Sequence, residues 1–144
     1  LPSITFTTMA IWVVVDHSVV NTILDEKNDL PGALHGAEHA LIAMTPFFVL
    51  CDRWDLGGLS TALDLQTGAA TIYVYDGYEG GVGLAERAYD LFPDICRIAT
   101  EMVHTCRCNT GCPACIHSPK CGNDNQPLDK PGTIKLLMSL NGDH

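Results

Sequence analysis

The sequence has 144 residues, 47% of them hydrophobic, and seventeen Asp and Glu against eight Lys and Arg give it a net charge of −9. That length suits one domain, residues 1–144, able to bury about 70% of its unfolded surface, so the core need not depend on a metal. The apolar fraction argues against disorder, no apolar run approaches the ~18 residues of a membrane span, and the acidic balance disfavours autonomous binding of nucleic acid.

Charge is uneven along the chain. Residues 1–100 carry thirteen Asp/Glu against four Lys/Arg, whereas residues 101–144 carry four of each and are neutral. The chain opens on Leu1 rather than Met, as expected of a piece of a longer protein, and no basic segment precedes an apolar stretch as in a secretory signal. Seven cysteines are an odd number, and five of them crowd into residues 106–121, which points to metal ligation in a reducing cytoplasm rather than to a disulfide framework.

In chain order, ITFTTMAIWVVVD (4–16) is β-branched and aromatic and predicts a strand. SVVNTILDEKND follows as a short helix. A second helix runs from Pro31, a favoured first-turn residue, to about Cys51, with a kink or an end at Pro46. LSTALDLQTGAATIYVYD (59–76) reads as a hairpin turning at Gln66-Thr67-Gly68. From Gly81 to about His104 the apolar spacing predicts the longest helix, with Pro93 kinking it or dividing it in two. Pro131 opens a last helix, GTIKLLMSL, with Asp129 placed to cap it. The expected fold class is α+β: a small, mainly antiparallel sheet packed with helices, and a four-cysteine zinc loop near the C-terminus.

In that loop, CRCNTGCPACIHSPKC, the cysteines Cys106, Cys108, Cys112 and Cys115 have the spacing C-x-C-x3-C-x2-C. Gly111 and Pro113 turn the C-x2-C half so that two thiolates face one ion, and extended residues 106 and 108 point the same way. Four thiolates at ~2.3 Å close a structural zinc site with no position left for water. Cys121 is the spare, or an alternative ligand in place of Cys106. The competing cofactor is an iron–sulfur cluster, which also takes four cysteines.

Two further motifs invite chemistry. HGAEH (35–39) matches H-x-x-E-H, which on a helix sets His35 and His39 on one face with Glu38 beside them, the makings of a zinc hydrolase. A protease also needs a third ligand and a cleft, so the favoured reading is structural. DGYEGGVGLAER (76–87) leads from a strand through glycines into a helix, a geometry that cradles anions on backbone N–H groups. It is not a Walker motif, since no Lys-Ser or Lys-Thr follows the glycines, and no catalytic residue is assigned.

HGAEHAL, CDRWDLGG, YDGYEGGVGLAERAYD, the five-cysteine loop and CGNDNQPLDKPG together resemble the C-terminal zinc-binding domain of mitomycin repair factor A-type superfamily 2 DNA helicases. The resemblance spans roughly residues 31–140, in the family's order. It implies a parent ATP-dependent DNA helicase concerned with DNA repair, whose RecA-like motor precedes this domain, and one structural zinc on Cys106, Cys108, Cys112 and Cys115. The ATPase motifs are not in this chain, so the fragment itself is not expected to be an enzyme. Expected partners are the motor domains of the parent chain and, through it, DNA, with Arg107, Lys120, Lys130 and Lys135 as candidate contacts. The alternative is a module that recruits repair proteins through its acidic part.

Overall fold

The computed structural model describes residues 6–141. The element order is β1 (Ala10–Val14), α1 (His17–Asp25), α2 (Leu30–Met44), β2 (Leu56–Thr61), β3 (Thr71–Asp76), α3 (Leu84–Asp90), α4 (Phe92–Thr105) and α5 (Lys130–Leu140), with short 3₁₀ turns at Thr45–Phe47 and Arg53–Asp55. The three strands form one antiparallel sheet in the order β1-β3-β2. The α+β class expected from the sequence is the one observed.

Helix α2 is the axis of the molecule. Pro31 sits in its first turn, and every residue from Gly32 to Ala43 is buried. It lies across the inner face of the sheet, where Ile72 and Val74 point inward, and against α4 and α5. Small residues make this closeness feasible. A Cβ on Gly36 would overlap Thr133 Oγ1 of α5, and one on Gly58 of β2 would come within 2.6 Å of Glu38 Oε2 and 2.7 Å of Ile42 Cδ1. The core continues through Ile95, Ala99 and Val103 of α4 and Leu136 and Leu137 of α5, and takes in Cys115 and Ile116 from the end of the cysteine loop.

Several boundaries differ from the sequence expectations. The first strand is shorter than 4–16, of which residues 4 and 5 lie outside the described part, and it gives way at Asp16, whose side chain accepts from Ser18 N and starts α1. Helix α2 stops at Met44 because Pro46 cannot continue it. The hairpin is present, but β2 begins at Leu56 and the connection spans residues 62–70, with Asp64 Oδ1 accepting from Gln66 N and Thr67 N. The long helix is two helices that part at Leu91, so that Pro93 sits in the first turn of α4, where its missing N–H costs nothing. Asp129 caps α5 as expected, accepting from Gly132 N at 2.9 Å.

Candidate metal centre

The cysteine loop leaves α4 at Cys106, and its two halves fold back on each other. The neighbouring Sγ–Sγ separations are 3.6 Å (Cys106–Cys108), 3.5 Å (Cys106–Cys112), 3.5 Å (Cys108–Cys115) and 3.8 Å (Cys112–Cys115). All four sulfurs lie within 4.8 Å of one another. A disulfide needs ~2.05 Å between sulfurs, so none of these pairs is bonded. A tetrahedron built on ~2.3 Å zinc–sulfur bonds has edges of about 3.8 Å, so the observed spacing fits a single small ion at the centre. Within the C-x2-C half, Cys115 N and His117 N both donate to Cys112 O at 3.0 and 3.2 Å, the tight turn that brings the last two sulfurs together.

Lys130 closes the cluster from α5. It is only 5% exposed, and its ammonium donates to Cys106 O at 2.7 Å, Cys108 O at 2.5 Å and Cys108 Sγ at 3.2 Å. Burial opposes ionisation of Cys108, yet the hydrogen bonds from Cys115 and Lys130 outweigh it and bring that thiol down to about 6. Burial pushes Cys115 the other way. One thiolate thus forms readily, with a fixed cation beside it.

The remaining cations of the sequence reading are placed differently. Lys120 Nζ donates to Arg53 O and Leu56 O and stands 5.9 Å from the Trp54 ring, so it pins the start of β2. Lys135 is paired with Glu26 and Asn28 Oδ1 and joins α5 to the end of α1. Arg107 is exposed on the cysteine loop with no ion pair among the described residues. Burial of Lys130 and the engagement of Lys120 and Lys135 follow from tertiary contacts that a charge count does not contain.

The anion cradle of DGYEGGVGLAER is occupied from within. Asp76 is fully buried; its Oδ2 accepts from Val82 N at 2.6 Å and Leu84 N at 3.2 Å, and its Oδ1 from Tyr78 N at 3.1 Å. The chain supplies its own carboxylate to the anion cradle that the sequence predicts.

HGAEH lies in the buried middle of α2. The His35 and His39 rings meet with centroids 4.2 Å apart and planes tilted at 58°. His35 Nδ1 donates to Pro127 O at 2.9 Å and His39 Nδ1 to Ile116 O at 2.7 Å. Burial takes His39 down to about 4, so it is neutral at pH 7. Glu38 turns away toward Ser60, and burial raises its carboxyl above the usual range. The residue that meets the histidines is Cys121, with Sγ 3.5 Å from His35 Nε2. Sequence reasoning set Cys121 aside; the signal for it was an unassigned cysteine alongside a histidine pair one helical turn apart.

The chain is similar to known proteins along most of its length. The family model described as the MrfA Zn-binding domain matches residues 37–116. The protein MJ1572.1 of Methanocaldococcus jannaschii is 40% identical over 110 residues, covering 74% of this chain and 98% of that protein. The ATP-dependent helicase YprA of Bacillus subtilis is 35% identical over 116 residues, covering 81% of this chain but only 15% of the helicase. Among solved structures, the DUF1998 helicase MrfA bound to DNA superposes with a TM-score of 0.70 and 28% identity, over 97% of this chain and 18% of that one. On the match to more than half its length and the close spacing of its four sulfurs, the chain belongs to the MrfA Zn-binding domain family.

Proposed function

We propose that this chain serves as the accessory zinc-binding domain of a cytoplasmic ATP-dependent DNA helicase engaged in DNA repair, and that Cys106, Cys108, Cys112 and Cys115 hold one structural zinc there. The observation that carries the reading is the four-sulfur cluster at the join between α4 and α5, closed by Lys130. A closed sphere of four thiolates leaves no position for a reacting water, so its role is to hold shape. Sulfurs this close together leave no room between them for the several iron and sulfide atoms of a cluster. The helicase relatives support the parent activity, and on this reading ATP is handled by the motor.

Docking onto the motor falls to the outer face of the sheet. Trp12 is 60% exposed there, in register with Tyr73 and Leu59, and Val14 is exposed beside it. An open apolar sheet face of this kind is normally covered by a partner. Of the four candidate cations, Arg107 is the one free to meet a phosphate. The alternative is a module that recruits other repair proteins through its acidic part, and pull-down by this chain in the absence of motor and DNA would favour that reading.

The test has three parts. Metal analysis of the purified chain with its absorption spectrum should give zinc and no visible absorption; iron with a visible band overturns the zinc reading. In the complete helicase, Cys112→Ser should impair unwinding and release zinc. Full unwinding after zinc loss overturns the accessory role. Arg107→Ala should lower the salt slope of DNA binding by about one, and an unchanged slope removes the DNA contact.

A further inference from the structure

The contacts around HGAEH fit metal ligation better than core filling. Both imidazoles spend their Nδ1–H on a backbone carbonyl, Pro127 O for His35 and Ile116 O for His39. A carbonyl only accepts, so the proton sits on Nδ1 and each ring keeps a bare Nε2. Metal-binding histidines are characteristically oriented this way by a partner on the other nitrogen. Cys121 supplies the third donor, 3.5 Å from His35 Nε2, and one ligand atom from each of the three residues lies within 4.8 Å of the other two. Tetrahedral bonds of ~2.05 Å to nitrogen and ~2.3 Å to sulfur put the two donors about 3.5 Å apart.

The trio lines a cavity of about 370 Å³ between α2, β2 and the segment following the cysteine loop, together with Glu38, Ser60 and Lys120. A site with three protein donors and an open side is the arrangement that leaves one coordination position to water, in contrast to the closed four-sulfur cluster. We propose that His35 Nε2, His39 Nε2 and Cys121 Sγ bind a second zinc ion, whose fourth position faces this cavity and takes water or another small oxygen ligand. One imidazole pair with one thiolate suits zinc rather than magnesium or calcium, which select oxygen donors. Glu38 is not a ligand in this arrangement, because its carboxylate is directed to Ser60.

The two sites are joined through the chain. Ile116, whose carbonyl orients His39, directly follows Cys115 of the four-sulfur cluster. Substitutions in that cluster would therefore disturb both sites, and the test uses residues of the second site alone. The chain is saturated with zinc, freed of loose metal by gel filtration, and weighed intact by native mass spectrometry. Two zincs per chain are expected, falling to one in Cys121→Ala and in His35→Gln, with helical circular dichroism unchanged. X-ray absorption at the zinc edge should show nitrogen as well as sulfur neighbours in the wild type and sulfur alone in Cys121→Ala. One zinc in the wild type, or two retained in Cys121→Ala, overturns the second site. Neither result touches the four-cysteine reading, which fails instead if the zinc remaining in Cys121→Ala lacks sulfur neighbours. If His35→Gln does not fold, the partly buried Cys121 still decides.

Discussion

Lys130 is the clearest case of a single side chain whose environment reverses its expected role. A buried ammonium is costly unless it is paired and hydrogen-bonded, and here all three of its bonds go to the cysteine loop. Lys130→Met keeps the aliphatic stem and removes the three donors. The expected outcome is a loss of about 1–3 kcal/mol in stability, together with faster release of zinc to a chromophoric chelator, read by thermal melting and by absorbance. Equal melting and equal release rates would show the ammonium to be dispensable. Asp76 invites a parallel measurement. Its carboxylate accepts from three backbone N–H groups at the turn into α3, and charge-assisted bonds of that type are the stronger ones. Asp76→Asn, which offers one acceptor oxygen instead of two, should lose about 2 kcal/mol and expose the Val82 and Leu84 amides to faster hydrogen exchange. Protection equal to wild type at those two amides would refute it.

At the scale of elements, helix positions follow from local signals and strand positions less so. Asp129 before Lys130-Pro131 announces the start of α5, and Pro93 announces the division of α3 from α4, because capping and the missing proline N–H act within one turn. The start of β2 was not legible in the same way. The expected hairpin begins at Leu59, yet the strand takes in Leu56, Gly57 and Gly58 as well. The reason is tertiary: Gly58 makes room for Glu38 and Ile42, and Gly57 for the Tyr75 ring. The same holds for the site. Spacing alone picked out the four clustered cysteines, which are neighbours in sequence. The approach of Cys121 to His35 across 86 positions and of Lys130 to Cys108 across 22 required the fold. Gly36 tests the packing argument. An added Cβ there collides with Thr133, which is fully buried and tied to Ala33 O. Gly36→Ala gains helix propensity of about 1 kcal/mol but overpacks the α2–α5 contact at a cost of about 1–3 kcal/mol. A net fall in melting temperature is expected, and a rise would mean that α5 moves away freely.

For the molecule as a whole, the question is how far the fold depends on its metal. A chain of 144 residues is long enough to support a core of its own, and the contacts of α2 with the sheet and with Thr133 of α5 involve no cysteine of the cluster. The loop is different. Residues 106–121 contain no helix or strand, and only Cys115 and Ile116 are buried. Zinc binding of about 10–16 kcal/mol in small domains is folding energy for whatever cannot fold without it, and local regions of a protein can open independently of the rest. Removal of zinc with a chelator should therefore strip hydrogen-exchange protection from the loop, the last turn of α4 and the first turn of α5, where Lys130 is anchored. Amides in β3 and in the middle of α2 should remain protected. Cys112→Ser should give the same pattern without chelator. If β3 and α2 lose protection together with the loop, the metal is integral to the single cooperative core, and the division drawn here between an autonomous sheet-and-helix body and a metal-dependent loop is wrong.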